Sequence, residues 1–333
     1  MRRKCLFITL VIVFLFTGCG DSQEIDERNF VLSLGIDKGV ESDFQVSMGI
    51  ANPAIKENDI VGNEVQTGSG DTLPKAMREN ESNYSRTMYY GHAKTIILGD
   101  ELIKEGNALK NIMDTLMRSN DFSLKTLILC AEGSAKECIE AVQAEDKGDG
   151  LYIWDYYKNN AACVENTLRF TLKDLEDGVR RESTIILPTI KVINDKPVIK
   201  GGAVFDGQKL SGYISADEMT YYALTIINCS GYLLQIDING EKTPIFVKKT
   251  LCKISNDENK AIFEINIKGD VRGELDAKTG ISTKEIEEAL SEDVKENVKK
   301  TMERIRELGA KELEAKEISV KVNATISSTG VIK

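Results

Sequence analysis

Cys19 is the residue of this chain best placed for covalent chemistry. It closes the run Phe16-Thr17-Gly18-Cys19, and Arg2, Arg3 and Lys4 stand before an apolar stretch from Cys5 to Phe16 broken only by Thr9. A basic start, a short apolar segment and small residues at a cleavage point make an export signal. The stretch falls short of the roughly 20 apolar residues that span a bilayer. A cysteine at the cleavage point turns the signal into a lipobox. In that pattern the thiol takes diacylglycerol, the chain is cut before Cys19, and the new amino terminus is acylated. Phe16 stands where such patterns more often carry Leu, and the plainer alternative is an ordinary signal peptide with Cys19 incidental. At about 0.8 kcal/mol per buried CH2, one acyl chain anchors reversibly and two anchor stably. The expected mature protein is a body tethered to the outer face of a membrane.

Other reactive constellations are not evident in the sequence. His92 is the single histidine, so no HExxH metal motif can form. There is no GxSxG elbow, GxGxxG fingerprint or P-loop, and Gly68-Ser69-Gly70 stands alone. His92 lies beside Tyr89 and Tyr90 in a strand-like run, away from any acid or nucleophile in sequence. A structural hydrogen bond and a partner contact both fit it. Trp154-Asp155-Tyr156-Tyr157 could line a sugar site or pack a helix on a sheet. Glu145-Asp146-Lys147-Gly148-Asp149 lacks the twelve-residue spacing of a calcium loop and reads as a loop. The carboxylates from Glu285 to Glu317 fall among lysines at helical spacing, as a solvated face does. The expectation is a chain with no catalytic residues, no metal site and no cofactor beyond the covalent lipid.

Charge narrows the partners. The chain has 43 basic and 53 acidic residues, a net charge of -10. Cleavage before Cys19 removes three cations and brings this to -13. Such a body repels nucleic acid, and it repels an anionic leaflet if it lies flat on it. Attachment must then come from lipid and protein partners. Of the seven cysteines, Cys5 is discarded and Cys19 is lipidated; Cys130, Cys138, Cys163, Cys229 and Cys252 remain, an odd set with no CxxC pair. They read as small buried hydrophobes, in keeping with a non-oxidising setting.

The elements that position these residues follow from periodicity. Phe30 to Gly39 is strand-like, and Phe44, Val46, Met48 and Ile50 alternate with polar or small residues, which predicts a hairpin. Lys56 to Asp71 is polar and glycine-rich and reads as a mobile loop, before a helix from Thr72 to about Tyr84. Met88 to Leu98 reads as one strand, and Asp100 as the cap of a short helix. Asn107 opens a helix with Leu109, Ile112, Met113 and Leu116 on one stripe. Ser123–Ala131 is a strand, Ser134–Val142 a helix. Two short helices follow, Leu151–Ala162 and one from Thr171 closed by Gly178. Ile185–Ile193 reads as a strand bulged or placed at an edge by Pro188.

Beyond a boundary at Lys191–Lys196, Val198–Asp206 and Lys209–Ile214 are strands of a small β-rich unit, and Thr225–Ile227 is also strand-like. Phe263, Ile265 and Ile267 mark another strand, with Val271 and Leu275 in the next. A long helix from Ser282 or Thr283 carries Ile286, Leu290, Val294, Val298, Met302, Ile305 and Leu308, and Ile318–Ile326 alternates as a last strand. The fold class is α+β: three small domains of mixed or antiparallel sheets with packed helices, behind a signal peptide. The expected divisions are 1–18 (signal), 19–196, 197–245 and 246–333, the last being one helix on an antiparallel sheet.

In order and spacing these motifs resemble the Ger(x)C family, the C-subunit lipoproteins of nutrient germinant receptors in endospore-forming bacteria. The family's Cys-Trp-Asp-x-x-Glu-Ile opening is Cys19-Gly20-Asp21-Ser22-Gln23-Glu24-Ile25 here, with Gly20 in place of Trp. Gly35-Ile36-Asp37, Asn52-Pro53, Tyr90-Gly91-His92-Ala93-Lys94, Gly99-Asp100-Glu101-Leu102 and the helix ending in Arg118 follow in turn. Gly202-Ala203-Val204-Phe205, Leu210-Ser211-Gly212 and Glu218 continue the match. One departure is the short run from Leu308 to Glu317, where the family carries a longer segment ending in aromatics.

The resemblance implies a non-catalytic lipoprotein of sporulating cells, palmitoylated or similarly acylated on Cys19. It would sit on the outer face of the spore inner membrane beside integral-membrane A and B subunits, which hold the nutrient site. Cys19 carries over as the lipid attachment. Asp37, His92 and Arg118 match family positions and are candidate partner contacts. Two readings from other classes stand beside it: a solute-capturing lipoprotein of a transporter, and a secreted cell-wall hydrolase.

Overall fold

In the computed structural model the described residues are 27–51, 65–119, 121–145, 150–159, 163–164, 167–226, 228, 230–238, 240–256, 259–272, 281–310, 313 and 317–328. The lipobox with Cys19, the acidic 146–149 stretch, Cys229 and Leu275 lie outside them.

β1 (Arg28–Asp37) and β2 (Phe44–Ala51) form the expected hairpin, antiparallel from Phe30↔Ala51 to Asp37↔Gln45. The next element corrects the loop expectation. Thr67–Gly70 is a strand, β3, paired with β2. A Cβ on Gly68 would lie 2.2 Å from the backbone N of Asn80, and one on Gly70 2.6 Å from that of Ala76. Glycine is there to let helix α1 (Leu73–Ser82) lie directly on the strand. Thr72 caps α1 by accepting the N–H of Lys75, and Pro74 stands in its first turn.

Met88–Leu98 is not one strand. β4 (Thr87–Tyr89) and β5 (Thr95–Leu98) are separate, with a turn at Gly91-His92 between them. Gly99, not Asp100, stands at the cap of α2 (Asp100–Ile103), and Asp100 instead accepts from Tyr213 and Lys104. Then come α3 (Ala108–Ser119), β6 (Leu127–Ala131), α4 (Ala135–Glu145), α5 (Tyr152–Asn159), the short pair β7 (Cys163–Val164) and β8 (Thr167–Leu168), and α6 (Leu172–Arg180). Gly178 lies inside α6, where Ile185 packs closely on it, and does not end the helix.

β9 (Ile185–Ile193), β10 (Lys196–Asp206) and β11 (Lys209–Ile214) complete a nine-stranded sheet of order β11-β10-β9-β6-β5-β1-β2-β3, with β4 beside β1. β1, β5, β6 and β9 form a parallel block, and antiparallel hairpins flank it. β9 is therefore interior rather than an edge; the irregularity opposite Pro188 falls between Ile199 and Gly202 of β10. The expected division at 196/197 falls in the β9–β10 hairpin, where Lys196 pairs with Ile193 and Pro197 with Val192.

Both faces of the parallel block are covered, so β5 and β6 are buried at every residue. Leu34, Ile36, Ile96, Leu98, Ile128 and Cys130 pack with α1, α2, α3 and α6, while Ile97, Leu127, Leu129 and Ala131 pack with α4 and α5.

α7 (Ala216–Ile226) overturns the strand reading of Thr225 and its surroundings. Ser215 and Glu218 cap it reciprocally: the Ser215 N–H donates to Glu218 Oε2 at 2.7 Å, and the Glu218 N–H to Ser215 Oγ at 3.2 Å. The second sheet, β12-β13-β14-β15, comprises β12 (Tyr232–Ile238), β13 (Glu241–Asn256), β14 (Lys260–Val271) and β15 (Glu317–Ser328). Val271 continues β14 and starts no new strand. α8 (Thr283–Glu307), capped by Ser282, lays the expected stripe on this sheet. β15 pairs parallel to β14, which α8 makes possible by carrying the chain back to the starting end, so the sheet is not wholly antiparallel. α7 joins the sheets: Met219, Ala223 and Leu224 share one core with Ile186 and Val204 of the first and Ile245 and Phe263 of the second.

Candidate functional site

At the C-terminal end of β1, Asp37 is buried and its carboxylate is fully engaged. Its oxygens accept the backbone N–H of Ala135 at 2.7 Å and of Lys136 at 2.8 Å, and Ser134 Oγ donates to it at 3.3 Å. It thus caps α4 from a neighbouring strand, with its charge at the positive end of the helix. Burial pushes this carboxyl above the ordinary range, against those hydrogen bonds, which pull it down. The neighbouring motif residues serve the same contact. A Cβ on Gly35 would press on Ala135 and Ile139, and one on Gly99 would lie 2.0 Å from Asp37 Oδ1. The Gly-Ile-Asp and Gly-Asp motifs meet here as a packing joint.

The opposite end of the sheet is different. Tyr90 turns inward from β4, donating its hydroxyl to Glu81 at 2.9 Å and packing on Phe122. The next turn is pinned by Thr126 Oγ1, which donates to the Ala93 carbonyl at 2.9 Å. His92 therefore faces outward and is exposed, with its ring 5.3 Å from Phe30 and 5.4 Å from Tyr89. Tyr89 is 36% exposed, and the Arg28 guanidinium lies 5.2 Å from its ring centre. Two residues on, Lys94 Nζ is 5.3 Å from the Trp154 ring, and Arg169 stands 5.5 Å from the same indole. Trp154 thus packs on the sheet while presenting two cations. Arg28 and Arg169 are not among the residues the sequence pointed to, and Lys94 appeared there only as the end of the Tyr90-Gly91-His92-Ala93-Lys94 motif.

Asp37 and His92 do not form one site. Seven residue steps along β1 separate Asp37 from Phe30, about 23 Å at 3.3 Å per step. Arg118 is exposed in the last turn of α3, where a cation suits the helix dipole; among the described residues no ion pair joins it to Asp37 or His92. The described thiols are shielded from reaction. Burial pushes Cys130 upward, Cys138 to about 12 and Cys252 to about 11, so all three stay protonated at neutral pH. Among the described residues no group of acids, histidine and cysteines could hold a metal ion, and no helix is long and apolar enough to cross a membrane.

Fold and surface define an α+β body in two linked sheets, with an exposed ring and cation cluster at one end of the first. The chain belongs to the GerAC-type spore germination protein family. The family's N-terminal domain, described as "Spore germination protein N-terminal domain", matches residues 21–192, and "Spore germination B3/ GerAC like, C-terminal" matches residues 200–314. Among relatives from Bacillus subtilis (strain 168), putative spore germination protein YfkR is 25% identical over 340 residues, covering 92% of this chain and 85% of its own length. Spore germination protein A3 is 20% identical, with coverages of 83% and 74%, and spore germination protein KC is 24% identical, with 60% and 49%. The crystal structure of the GerBC protein shares the fold, with a TM-score of 0.53 at 14% identity over 88% of this chain and 96% of that one.

Proposed function

We propose that this chain is the lipid-anchored C-type subunit of a nutrient germinant receptor, non-catalytic and needed for receptor assembly and signalling. Cys19 carries the diacylglycerol and the amino-terminal acyl chain. These hold the body on the outer face of the spore inner membrane, beside integral-membrane A and B subunits. Tethering raises the effective concentration of a partner-binding body near those subunits. The observation that carries the reading is the exposed Phe30–Tyr89–His92 cluster, at the end of β1 where the N-terminal segment joins the body. A surface there is held close to whatever shares the membrane. His92 and Arg118 are then partner-facing, and Asp37 supports the fold that presents them.

A solute-binding lipoprotein would close two lobes around a ligand. The two sheets here share one apolar core through α7 instead, which favours the receptor reading. The test is Cys19→Ala in the producing organism. The expected result is loss of the chain from spore membranes and a weakened response to its nutrient. Normal anchoring together with normal germination would remove the proposal.

A further inference from the structure

Charge is unevenly spread on this acidic chain. Lys94, Lys125, Arg169 and Lys173 are brought together by the backbone at one end of the parallel block. The Leu127 N–H donates to the Lys94 carbonyl at 2.8 Å, Ile128 to Phe170 at 3.0 Å, and Lys173 to Leu124 at 3.0 Å. Among the described residues none of these four cations forms an ion pair with a carboxylate, so their charge is not neutralised locally. Two acids beside them are engaged elsewhere: Asp155 pairs with Lys158 at 3.7 Å, and Asp174 accepts from Thr171 at the cap of α6, while Asp121 stands exposed four residues before Lys125. Trp154, half-buried, lies against Lys94 and Arg169, and Leu124, 44% exposed, adjoins Lys125 and bonds Lys173 through its backbone. An indole, an aliphatic side chain and unpaired cations together have the composition of a surface seated in a headgroup layer.

Direction decides what meets this patch. β1, β5 and β6 are parallel, so Arg28, Thr95 and Leu127 all start at the same end. The chain from Cys19 enters β1 at that end. Eight residues separate Cys19 from Arg28, which reach at most about 30 Å even fully extended. We infer that the surface of Lys94 and Arg169 around Trp154, with Lys125 and Lys173 at the same end of the sheet, rests on anionic phospholipid headgroups, orienting the body on its membrane. The inference rests on the lipid-anchored reading and adds an orientation to it. The net charge argues against lying flat on an anionic leaflet. Standing on one cationic end avoids that repulsion.

Trp154 is the sole tryptophan, so its emission reports this surface directly. The full lipidated chain is reconstituted in vesicles of phosphatidylcholine alone and with phosphatidylglycerol, and quenching by headgroup spin-labelled lipid is measured. Quenching should be about twofold stronger with phosphatidylglycerol and vanish near 1 M salt, where screening reaches within about 3 Å. Lys94→Gln with Arg169→Gln should abolish the difference, whereas Lys299→Gln with Lys300→Gln, exposed on α8, should retain it. Flotation on both vesicles with equal quenching overturns the headgroup contact and leaves the anchor intact; an acidic protein partner would then be the better occupant. Phosphatidylglycerol-dependent quenching that persists in Cys19→Ala supports the contact independently of the anchor.

Discussion

Asp37, the last residue of β1, accepts the backbone N–H of Ala135, the first residue of α4, at 2.7 Å. The two residues are far apart in sequence, and the bond fixes helix to sheet at the point where Gly35 and Gly99 allow close approach. Asp37→Ala leaves two helix-terminal N–H groups, that of Ala135 buried and that of Lys136 partly so, without their acceptor. A loss of about 1–3 kcal/mol in unfolding free energy is expected from denaturant titration. A change within about 0.5 kcal/mol, the range of an ordinary surface substitution, would mean that the cap holds nothing.

The same contact has a pH signature. Burial raises the Asp37 carboxyl above its ordinary 3.8, so the folded chain holds this proton more tightly than the unfolded chain does. Its contribution to stability is therefore greatest at acid pH and declines as pH rises from that ordinary value through the raised one. The stability gap between the parent chain and Asp37→Ala should narrow as pH rises above about 4. A gap that widens as pH rises would mean a carboxyl held below its ordinary value.

Gly68 tests the correction made by β3. Its hypothetical Cβ would meet Asn80 N at 2.2 Å and the Ala76 carbonyl oxygen at 2.4 Å, both backbone atoms of α1 that cannot swing aside. Asn80 ties the joint further, donating from Nδ2 to the Val46 carbonyl at 2.9 Å and to that of Gln66 at 3.0 Å. Gly68→Ala should destabilise by about 1–3 kcal/mol or more, as overpacking does. Gly207→Ala is a comparison in an open turn, where nothing would touch the Cβ and only positive φ opposes it. Equal losses at the two sites would argue against the close strand–helix approach.

At the margin of the second sheet, α8 caps β15. The Ile326 N–H donates to Glu287 Oε1 at 2.8 Å, and the Ala324 N–H to Ser291 Oγ at 3.2 Å. Occupying strand donors with side chains is one way to keep an edge from pairing with another chain. Glu287→Ala should speed hydrogen exchange at Ile326 selectively and raise the tendency to self-associate on heating. Unchanged exchange at that amide would show that the carboxylate does not protect it.

What the sequence disclosed depended on how local each cause was. The α8 stripe from Ile286 to Ile305 and its Ser282 cap are periodic and contiguous, so they could be read directly. Gly68 and Gly70 carry the composition of a loop, and only the helix lying on them explains why glycine stands in a strand. Thr225 and Ile226 look strand-like on β-branched composition, yet the Ser215–Glu218 cap ten residues earlier sets a helix. β15 alternates with period two whether it runs parallel or antiparallel, so its direction waits on α8. Asp37 was visible as a motif residue, but the helix terminus it caps lies nearly a hundred residues on. Lys94, Trp154 and Arg169 converge from three separate segments, and no spacing rule foretells that meeting.

His92 separates fold from function. Its ring is exposed, and the aromatic contacts it makes among the described residues, with Phe30 and Tyr89, are worth about 0.5–1.5 kcal/mol at most for each pair. Asp37→Ala, by contrast, strikes a buried joint and should lower the amount of folded protein. If the Phe30–Tyr89–His92 end meets the membrane subunits, His92→Ala should leave the thermal midpoint and the spore content of this chain nearly unchanged. The germination response to its nutrient should nevertheless fall several-fold. Quantitative immunoblotting of spore membranes beside germination kinetics reads both in one strain. A normal response at a normal protein level would remove this end of the sheet as the partner-facing surface, whereas a response that falls only in step with protein level would reduce His92 to a packing residue.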